Sequence, residues 1–194
     1  MDRIMLFTES SDVNFHGDCS NWYAIQTLTG SEKKLIAKID YICSNRFKTY
    51  LPTREVIHQI KGEKQMARLP LFPGYVFVHK EIDLLLRELR NAKSKLLAKP
   101  VKANGKYLEV DVNEIRFLFK IAGKDGVIKI SKGIVNENNR IEIVNGPLKN
   151  FNGQVLFINK RKNKAKARIE IMNRTVDVSL GLEIVSPLCQ TEPA

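Results

Sequence analysis

The run Pro70-Leu71-Phe72-Pro73-Gly74-Tyr75-Val76-Phe77-Val78 decides the fold of the first part of this chain. The Pro-Gly pair in its middle predicts a tight turn, because proline fixes its own φ and glycine accepts a positive one. Residues 75–78 are apolar and β-prone, which is typical of a short strand buried on both faces. The run therefore predicts the central strand of a sheet, entered through an apolar turn.

The segments around this strand complete a predicted α+β domain at residues 21–123. A strand at 21–26 precedes a helix whose apolar residues recur at helical spacing over 35–43. Extended segments at 49–51, 54–60 and 66–69 surround a hairpin tip at 61–64. Asp83 is predicted to cap a second helix, and Asp111 opens a capping box with Glu114 for a third, which Gly123 ends. Short strands are predicted at 96–98 and 107–110, and the helices are expected to pack on a mainly antiparallel sheet.

The second part of the chain has a different pattern. Residues 124–138 contain glycines and a polar run, which predicts a flexible linker with a short strand at 127–130. Residues 139–187 hold short strands at 140–144, 154–158, 165–172, 175–180 and 182–185, separated by turns. This spacing predicts a small SH3-like β-barrel that has no helical alternative, with Phe157 in its core by strand alternation. Flexible tails are expected at 1–20 and 188–194.

Composition excludes several classes of protein. With 194 residues and a net charge of +11, the chain is too short for a large enzyme and favours a polyanionic partner. Its three cysteines form neither a disulfide framework nor a metal knuckle, and no apolar stretch is long enough to span a membrane, so a cytoplasmic location is expected. His16, His58 and His79 lack a paired ligand or nucleophile, and residues 104–106 are not a P-loop. We expect no enzyme, no cofactor and no metal.

Two motifs in this order resemble the NusG family of transcription elongation factors. The first combines Trp22-Tyr23, Tyr50-Leu51-Pro52 and residues 70–78, and the second, residues 140–155, is similar to the KOW motif. The resemblance covers residues 21–187 and implies a NusG N-terminal-like α/β sandwich linked to a KOW β-barrel. Gly133, the basic turn and residues 178–185 are most like the specialised LoaP-type paralogues of the family.

The resemblance implies that the N-terminal domain binds bacterial RNA polymerase through an apolar surface with rigid aromatic anchors. The matching positions are Trp22, Tyr23, Leu51, Pro52, Phe72, Pro73 and Tyr75. Ordinary core packing is the alternative for each of them, and it is the expectation for Tyr23, Val76 and Phe77. Trp22 and Phe72 are expected to be partly exposed.

Cations on the N-terminal domain are candidates for contact with upstream or non-template DNA, with a solvated surface as the alternative. They are Lys61, Lys64, Arg68, Arg87 and Arg90. The chain lacks the His-Thr-Thr element of RfaH-like proteins after the Tyr75 strand, so recognition of a specific paused DNA element is not implied.

Residues 149–168 hold seven cations and no acid. They are Lys149, Lys160, Arg161, Lys162, Lys164, Lys166 and Arg168. Lysine and arginine contacts to phosphates would give a barrel of this kind affinity for structured nascent RNA. Phe151 and Phe157 are candidates for stacking on its bases, although strand alternation favours a core position for Phe157. The alternative for the cations is a basic turn that only aids solubility.

The expected function is that of a monomeric, specialised elongation and antitermination factor. It would bind RNA polymerase through its first domain and nascent RNA through its second, raising processivity on long operons. Two alternatives stay open. One is a housekeeping NusG that couples polymerase to Rho or to a ribosomal protein, and the other is a ribosome-associated KOW protein that binds RNA.

Overall fold

The computed structural model describes residues 19–60, 63–93, 95–123, 125–137, 140–151 and 155–185. The N-terminal domain comprises β1 (Trp22–Gln26), α1 (Glu32–Cys43), β2 (Lys48–Tyr50), β3 (Thr53–Ile60), β4 (Glu63–Pro70), β5 (Tyr75–His79), α2 (Ile82–Asn91), β6 (Lys99–Pro100), β7 (Lys102–Ala103), β8 (Lys106–Tyr107), α3 (Val112–Ala122) and β9 (Val127–Ile128). The C-terminal β domain comprises β10 (Ser131–Val135), β11 (Ile141–Asn145), a 3₁₀ helix (Pro147–Phe151), β12 (Val155–Asn159), β13 (Lys164–Ile171) and β14 (Arg174–Ile184).

The first sheet has the strand order β2-β5-β1-β6, and all of its pairings are antiparallel. The interior strand β5 lies between β2 and β1. Its residues Val76, Phe77 and Val78 are fully buried, so the predicted central strand is confirmed. Side chains alternate across this sheet, and each face therefore builds a separate core.

One face of the sheet is covered by α1 and α2. Ile25, Val76 and Val78 contact the buried residues Leu35 and Leu85 of these helices. The opposite face carries an aromatic cluster, in which Trp22 and Tyr50 lie edge-on to Phe119 of α3, with ring centroids 5.8 and 4.9 Å away. The first sheet is thus sandwiched, and only this second face continues towards the β domain.

The helix ends differ from the sequence prediction in detail. At α3 the Asp111 carboxylate accepts from the backbone N–H of Asn113 at 2.7 Å, as a capping residue should. Glu114, the other residue of the predicted capping box, has a partner outside its own domain, because its carboxylate accepts from the N–H of Met172 in the β domain at 3.0 Å. Helix α2 begins at Ile82 after Glu81, so Asp83 lies in its first turn and is not its cap.

The described part of the predicted linker at 124–138 contains two strands, one in each domain. β9 pairs in parallel with β3, next to the β3–β4 hairpin, and its residues Val127 and Ile128 are buried. β10 pairs with β11 and β14 in the second domain. The described part of the predicted linker is therefore held against both domains.

The C-terminal β domain is a five-stranded sheet of order β11-β10-β14-β13-β12. β14 is one continuous strand where the sequence predicts two. Along β13 the residues Ala165, Ala167 and Ile169 are buried, while Lys166 and Arg168 point outward. β12 is an edge strand of this sheet.

The two domains share one hydrophobic core. Phe151 and Leu148 of the 3₁₀ helix are buried in the same cluster as Phe119 and Leu118 of α3. Phe151 also lies edge-on to Phe117, with the ring centroids 5.4 Å apart. Among the described residues, no helix is both long and apolar enough to cross a bilayer.

Candidate functional site

The apolar turn before β5 is fixed from within the N-terminal domain. Gly74 has a φ of +83°, a conformation that glycine adopts without strain. Its N–H donates to the carboxylate of Glu32 at 2.7 Å, and Glu32 is buried at the start of α1. The carbonyl of Gly74 accepts from the N–H of Thr27 at 2.8 Å. The turn is therefore a rigid platform for the side chains beside it.

We call Leu71, Phe72, Pro73 and Tyr75 the apolar face. These residues line one side of a cavity of about 390 Å³, and Met172 and Val176 of the β domain line the other. Phe72 also packs edge-on against Phe77, with ring centroids 6.1 Å apart. The β domain thus lies directly over the apolar face.

A hydrogen bond and a close backbone approach join the two domains, and we call this packing of the domains the closed arrangement. The guanidinium of Arg54 on β3 donates to the backbone carbonyl of Ser179 on β14. Burial lowers the pKa of Arg54 below its ordinary value, because desolvation penalises the charged form. Gly181 lies so close to β3 that an added Cβ would come within 2.6 Å of the backbone oxygen of Glu55.

The hairpin turn between β13 and β14 carries an unusual residue for its geometry. Met172 and Asn173 have φ values of 54° and 56°, where glycine or asparagine is preferred and methionine is strained. The Met172 side chain is only 8% exposed, and its N–H bonds Glu114 of α3. Contact with the N-terminal domain therefore offsets the strain of this turn.

The residues predicted to bind polymerase separate into different parts of the domain. Trp22 and Phe72 are 2% and 4% exposed, so the expectation that they are partly exposed is wrong. Trp22 stacks on His79 within the aromatic core, with centroids 4.9 Å apart, while Tyr23 and Leu51 pack partly buried against the α1–α2 cluster. Three of the predicted residues lie together at the cavity, and they are Phe72, Pro73 and Tyr75. The last predicted residue, Pro52, is buried and does not line the cavity.

The predicted DNA-contacting cations lie on two separate elements. Arg87 and Arg90 are exposed on α2 and line a shallow surface pocket with Asp83. Lys64 and Arg68 are exposed on β4, where Arg68 pairs with Glu55 at 3.5 Å. Lys61 lies outside the described residues.

The predicted RNA-binding cations concentrate on one hairpin. We call β12, β13 and the turn at 160–163 the basic hairpin. Its turn exposes Lys160, Arg161 and Lys162, and the N–H of Lys162 donates to Asn159 at 2.9 Å. Lys164 is half-buried at the start of β13, whereas Lys149 lies apart on the 3₁₀ helix.

An acidic residue on the neighbouring strand contacts two of these cations. Lys166 and Arg168 both bond Asp177 of β14, at 3.2 and 3.0 Å. The hydrogen bonds from Arg168 and Lys166 hold the pKa of Asp177 below its ordinary value. Although residues 149–168 contain no acid, the sheet pairing brings one beside them. β13 and β14 are consecutive strands of one hairpin, so their register across the turn is the sequence signal that could have revealed this contact.

Sequence reasoning also misplaced an apolar pair on the basic hairpin. Leu156 and Phe157 are 43% and 60% exposed, so the expectation that Phe157 is a core residue is wrong. The β12–β13 register shifts between Val155 and Phe157, which marks a β-bulge. A bulge breaks the alternation of side chains, and no signal in the sequence located it.

Comparison with known proteins agrees with this architecture. The model of the family described as transcription termination factor nusG matches residues 20–118, half of the chain. A curated transcription termination/antitermination protein NusG from Thermus thermophilus is 29% identical over 179 residues, covering 84% of this chain and 96% of that protein. Its counterpart from Buchnera aphidicola is 26% identical over 177 residues, covering 84% and 94%.

A solved structure is also similar, one that describes domain interaction in Thermotoga maritima NusG. It is 25% identical, covers 84% of this chain and 93% of its own, and has a TM-score of 0.48. From the family match and the relatives, the chain belongs to the NusG family of transcription termination and antitermination factors, which are not enzymes.

Proposed function

We propose that this chain is a specialised elongation and antitermination factor of the LoaP type. It binds bacterial RNA polymerase through the apolar face and nascent RNA through the basic hairpin, and it raises processivity on long operons. The observation that carries the proposal is the exposed turn of the basic hairpin, where Lys160, Arg161 and Lys162 lie side by side. It acts as a monomer in the cytoplasm.

The apolar face has the features of a protein-docking surface. Phe72 and Tyr75 stand on a turn that Glu32 holds rigid, so little conformational entropy is lost when they anchor a partner. In the closed arrangement the same face lines a cavity together with Met172 and Val176 of the β domain. Polymerase and the β domain therefore compete for it, and docking requires the two domains to separate.

The effect on transcription follows from selective binding. The family resemblance implies docking on the clamp helices of RNA polymerase, and the polymerase clamp has closed and opened states. A factor that binds the polymerase with its clamp closed more tightly than with its clamp open shifts the polymerase towards the closed clamp. Pausing and intrinsic termination pass through opened states, so they become rarer. No covalent step is needed.

The basic hairpin supplies affinity for RNA without a sequence code. Each lysine or arginine that neutralises a phosphate releases condensed counterions, which makes binding strong at low salt. Once polymerase holds the N-terminal domain, the tethered β domain meets nascent RNA at a high effective concentration. The factor therefore acts selectively at operons whose nascent transcripts bind the basic hairpin. Exposed Arg87 and Arg90 are proposed to contact DNA near the polymerase.

A salt titration of RNA binding tests the proposal. Exchanging Lys160, Arg161 and Lys162 together for glutamine should weaken binding of the full chain to a structured leader RNA. It should also reduce the slope of log K against log salt by about 2–3, since each lost phosphate contact removes about 0.7–0.9. The matched control removes the same charge from α1, at Lys33, Lys34 and Lys38. An equal loss in both variants would show that net charge alone binds RNA and would contradict the proposal.

A housekeeping role is the second candidate. The curated relatives are named transcription termination/antitermination proteins, and a housekeeping NusG would couple polymerase to Rho or to a ribosomal protein. Binding of the chain to such a protein, with no measurable RNA binding, would support that role. A ribosome-associated role would instead show as co-sedimentation with ribosomal subunits and none with polymerase.

A further inference from the structure

The edge of the basic hairpin exposes an apolar surface that the proposed function does not explain. Phe157 and Leu156 are consecutive on β12, and both are substantially exposed because a bulge lies between Val155 and Phe157. A regular strand would turn one of the two into the core. The bulge instead presents both to solvent, at an edge strand with no further neighbour among the described residues.

Cations surround this apolar pair. Phe157 lies directly opposite Lys166 on β13, and Asn159 lies opposite Lys164. Two residues beyond Ile158 the chain enters the turn with its exposed cations. Asp177 on β14 is already in contact with Lys166 and Arg168. An aromatic ring on a cationic surface is therefore available to an anionic partner.

The closed arrangement of the domains leaves this surface free. The N-terminal domain contacts β14, through Ser179 and Gly181, and the β13–β14 turn, through Met172. β12 lies on the far side of β13 from these contacts. Phe157 remains 60% exposed with both domains in place. A ligand there does not compete with domain closure.

We propose that Phe157, with Leu156 beside it, is a stacking platform for unpaired bases of RNA, and that the cations of the basic hairpin hold the flanking phosphates. The inference rests on the proposed function and deepens it. An aromatic ring beside phosphate-binding cations is the arrangement by which proteins bind single-stranded nucleic acid. Bases inside a duplex are stacked on each other and cannot reach the ring, so the site selects loops, bulges or single strands.

Two RNA probes test the platform in the full chain, a short single-stranded oligoadenylate and a blunt RNA duplex of the same length. Phe157→Ala should weaken binding of oligoadenylate about tenfold and leave duplex binding within about twofold. Tyr41→Ala is the matched control, because Tyr41 is 82% exposed on α1 with Lys38 over its ring at 5.6 Å. It should change neither affinity.

Fluorescence gives a second, direct readout. The only native tryptophan, Trp22, is 2% exposed and should not respond to RNA. Phe157→Trp should keep the affinity for oligoadenylate, and the new indole should be quenched when a base stacks on it. A tryptophan placed at Tyr41 should show no quenching.

Each other outcome has a defined meaning. Unchanged oligoadenylate affinity in Phe157→Ala would overturn the platform and leave this surface to a protein partner. An equal loss for oligoadenylate and duplex would also overturn it, because Phe157 would then only support the shape of the hairpin. If wild type binds both probes equally and only the loss of the turn cations weakens binding, the proposed function stands and the platform falls. If wild type binds neither probe but binds a structured leader RNA, the platform falls and the proposed function stands; if it binds none of the three, both fall.

Discussion

Replacing Gly181 with alanine is expected to separate the two domains. A Cβ atom at this position would lie 2.6 Å from the backbone oxygen of Glu55 and 2.8 Å from Cγ1 of Ile130. The backbone of a paired strand cannot move aside, and overpacking of this kind costs about 1–3 kcal/mol. The closed arrangement should therefore lose about 5- to 150-fold in population relative to the separated one.

Hydrogen exchange at one amide measures this shift. The N–H of Met172 bonds Glu114 of the other domain at 3.0 Å, so its protection depends on domain closure. Hydrogen exchange of this amide, measured by NMR, should be about 5- to 150-fold faster in Gly181→Ala than in wild type. The amide of Val78, buried in β5, should exchange as in wild type because the N-terminal domain itself is intact.

A control on the same strand separates steric conflict from general damage to β14. Thr175 is exposed, so Thr175→Val should leave the protection of Met172 unchanged. If Gly181→Ala folds normally and keeps wild-type protection at Met172, the contact with Glu55 does not hold the domains together. The reasoning about closure would then be refuted.

Three further changes have expected outcomes. Glu32→Ala removes the buried acceptor of the Gly74 N–H. Urea denaturation should show a loss of about 1–3 kcal/mol in the free energy of unfolding, because a buried donor is left without its partner. A stability equal to wild type would show that the turn does not depend on this bond. Asp111→Ala removes the N-terminal cap of α3 and should lower the free energy of unfolding by about 1 kcal/mol in the same assay. An unchanged midpoint of urea denaturation would contradict this. The pKa of the Asp177 carboxyl, followed by NMR, should lie below its ordinary value and rise in Arg168→Gln. Because the folded pKa is depressed, the stabilisation from this group is present above the unfolded pKa and is lost as pH falls through the folded one. An Asp177 pKa that stays the same in Arg168→Gln would contradict the assignment of its cause.

The central strand could be predicted because its signal is local. Residues 75–78 are an unbroken apolar run after a Pro-Gly turn, and neither feature depends on distant parts of the chain. The same holds for α3, whose cap and apolar spacing lie within a few residues of each other. The strand at 96–98 was misplaced, since the structure has its short strand at Lys99–Pro100 instead.

The candidate site could be predicted only in part, because its remaining features depend on strand register and on how the two domains pack. Asp177 reaches Lys166 through strand pairing, and the exposure of Phe157 depends on a bulge in the register. Burial of Phe72 was missed for a third reason. Alternation along β14 predicts which of its residues face outward, but it does not predict that the N-terminal domain, with Phe72, lies against that face.

Single-round transcription with purified bacterial RNA polymerase across an intrinsic terminator tests the central claim most directly. Pro73 is exposed within the apolar face, so Pro73→Asp places a charge there without opening the core, and Ala37→Asp on exposed α1 is the control. The account predicts that wild type and Ala37→Asp raise readthrough and that Pro73→Asp does not. No effect of wild type in the presence of its leader RNA, or full activity of Pro73→Asp, would contradict it.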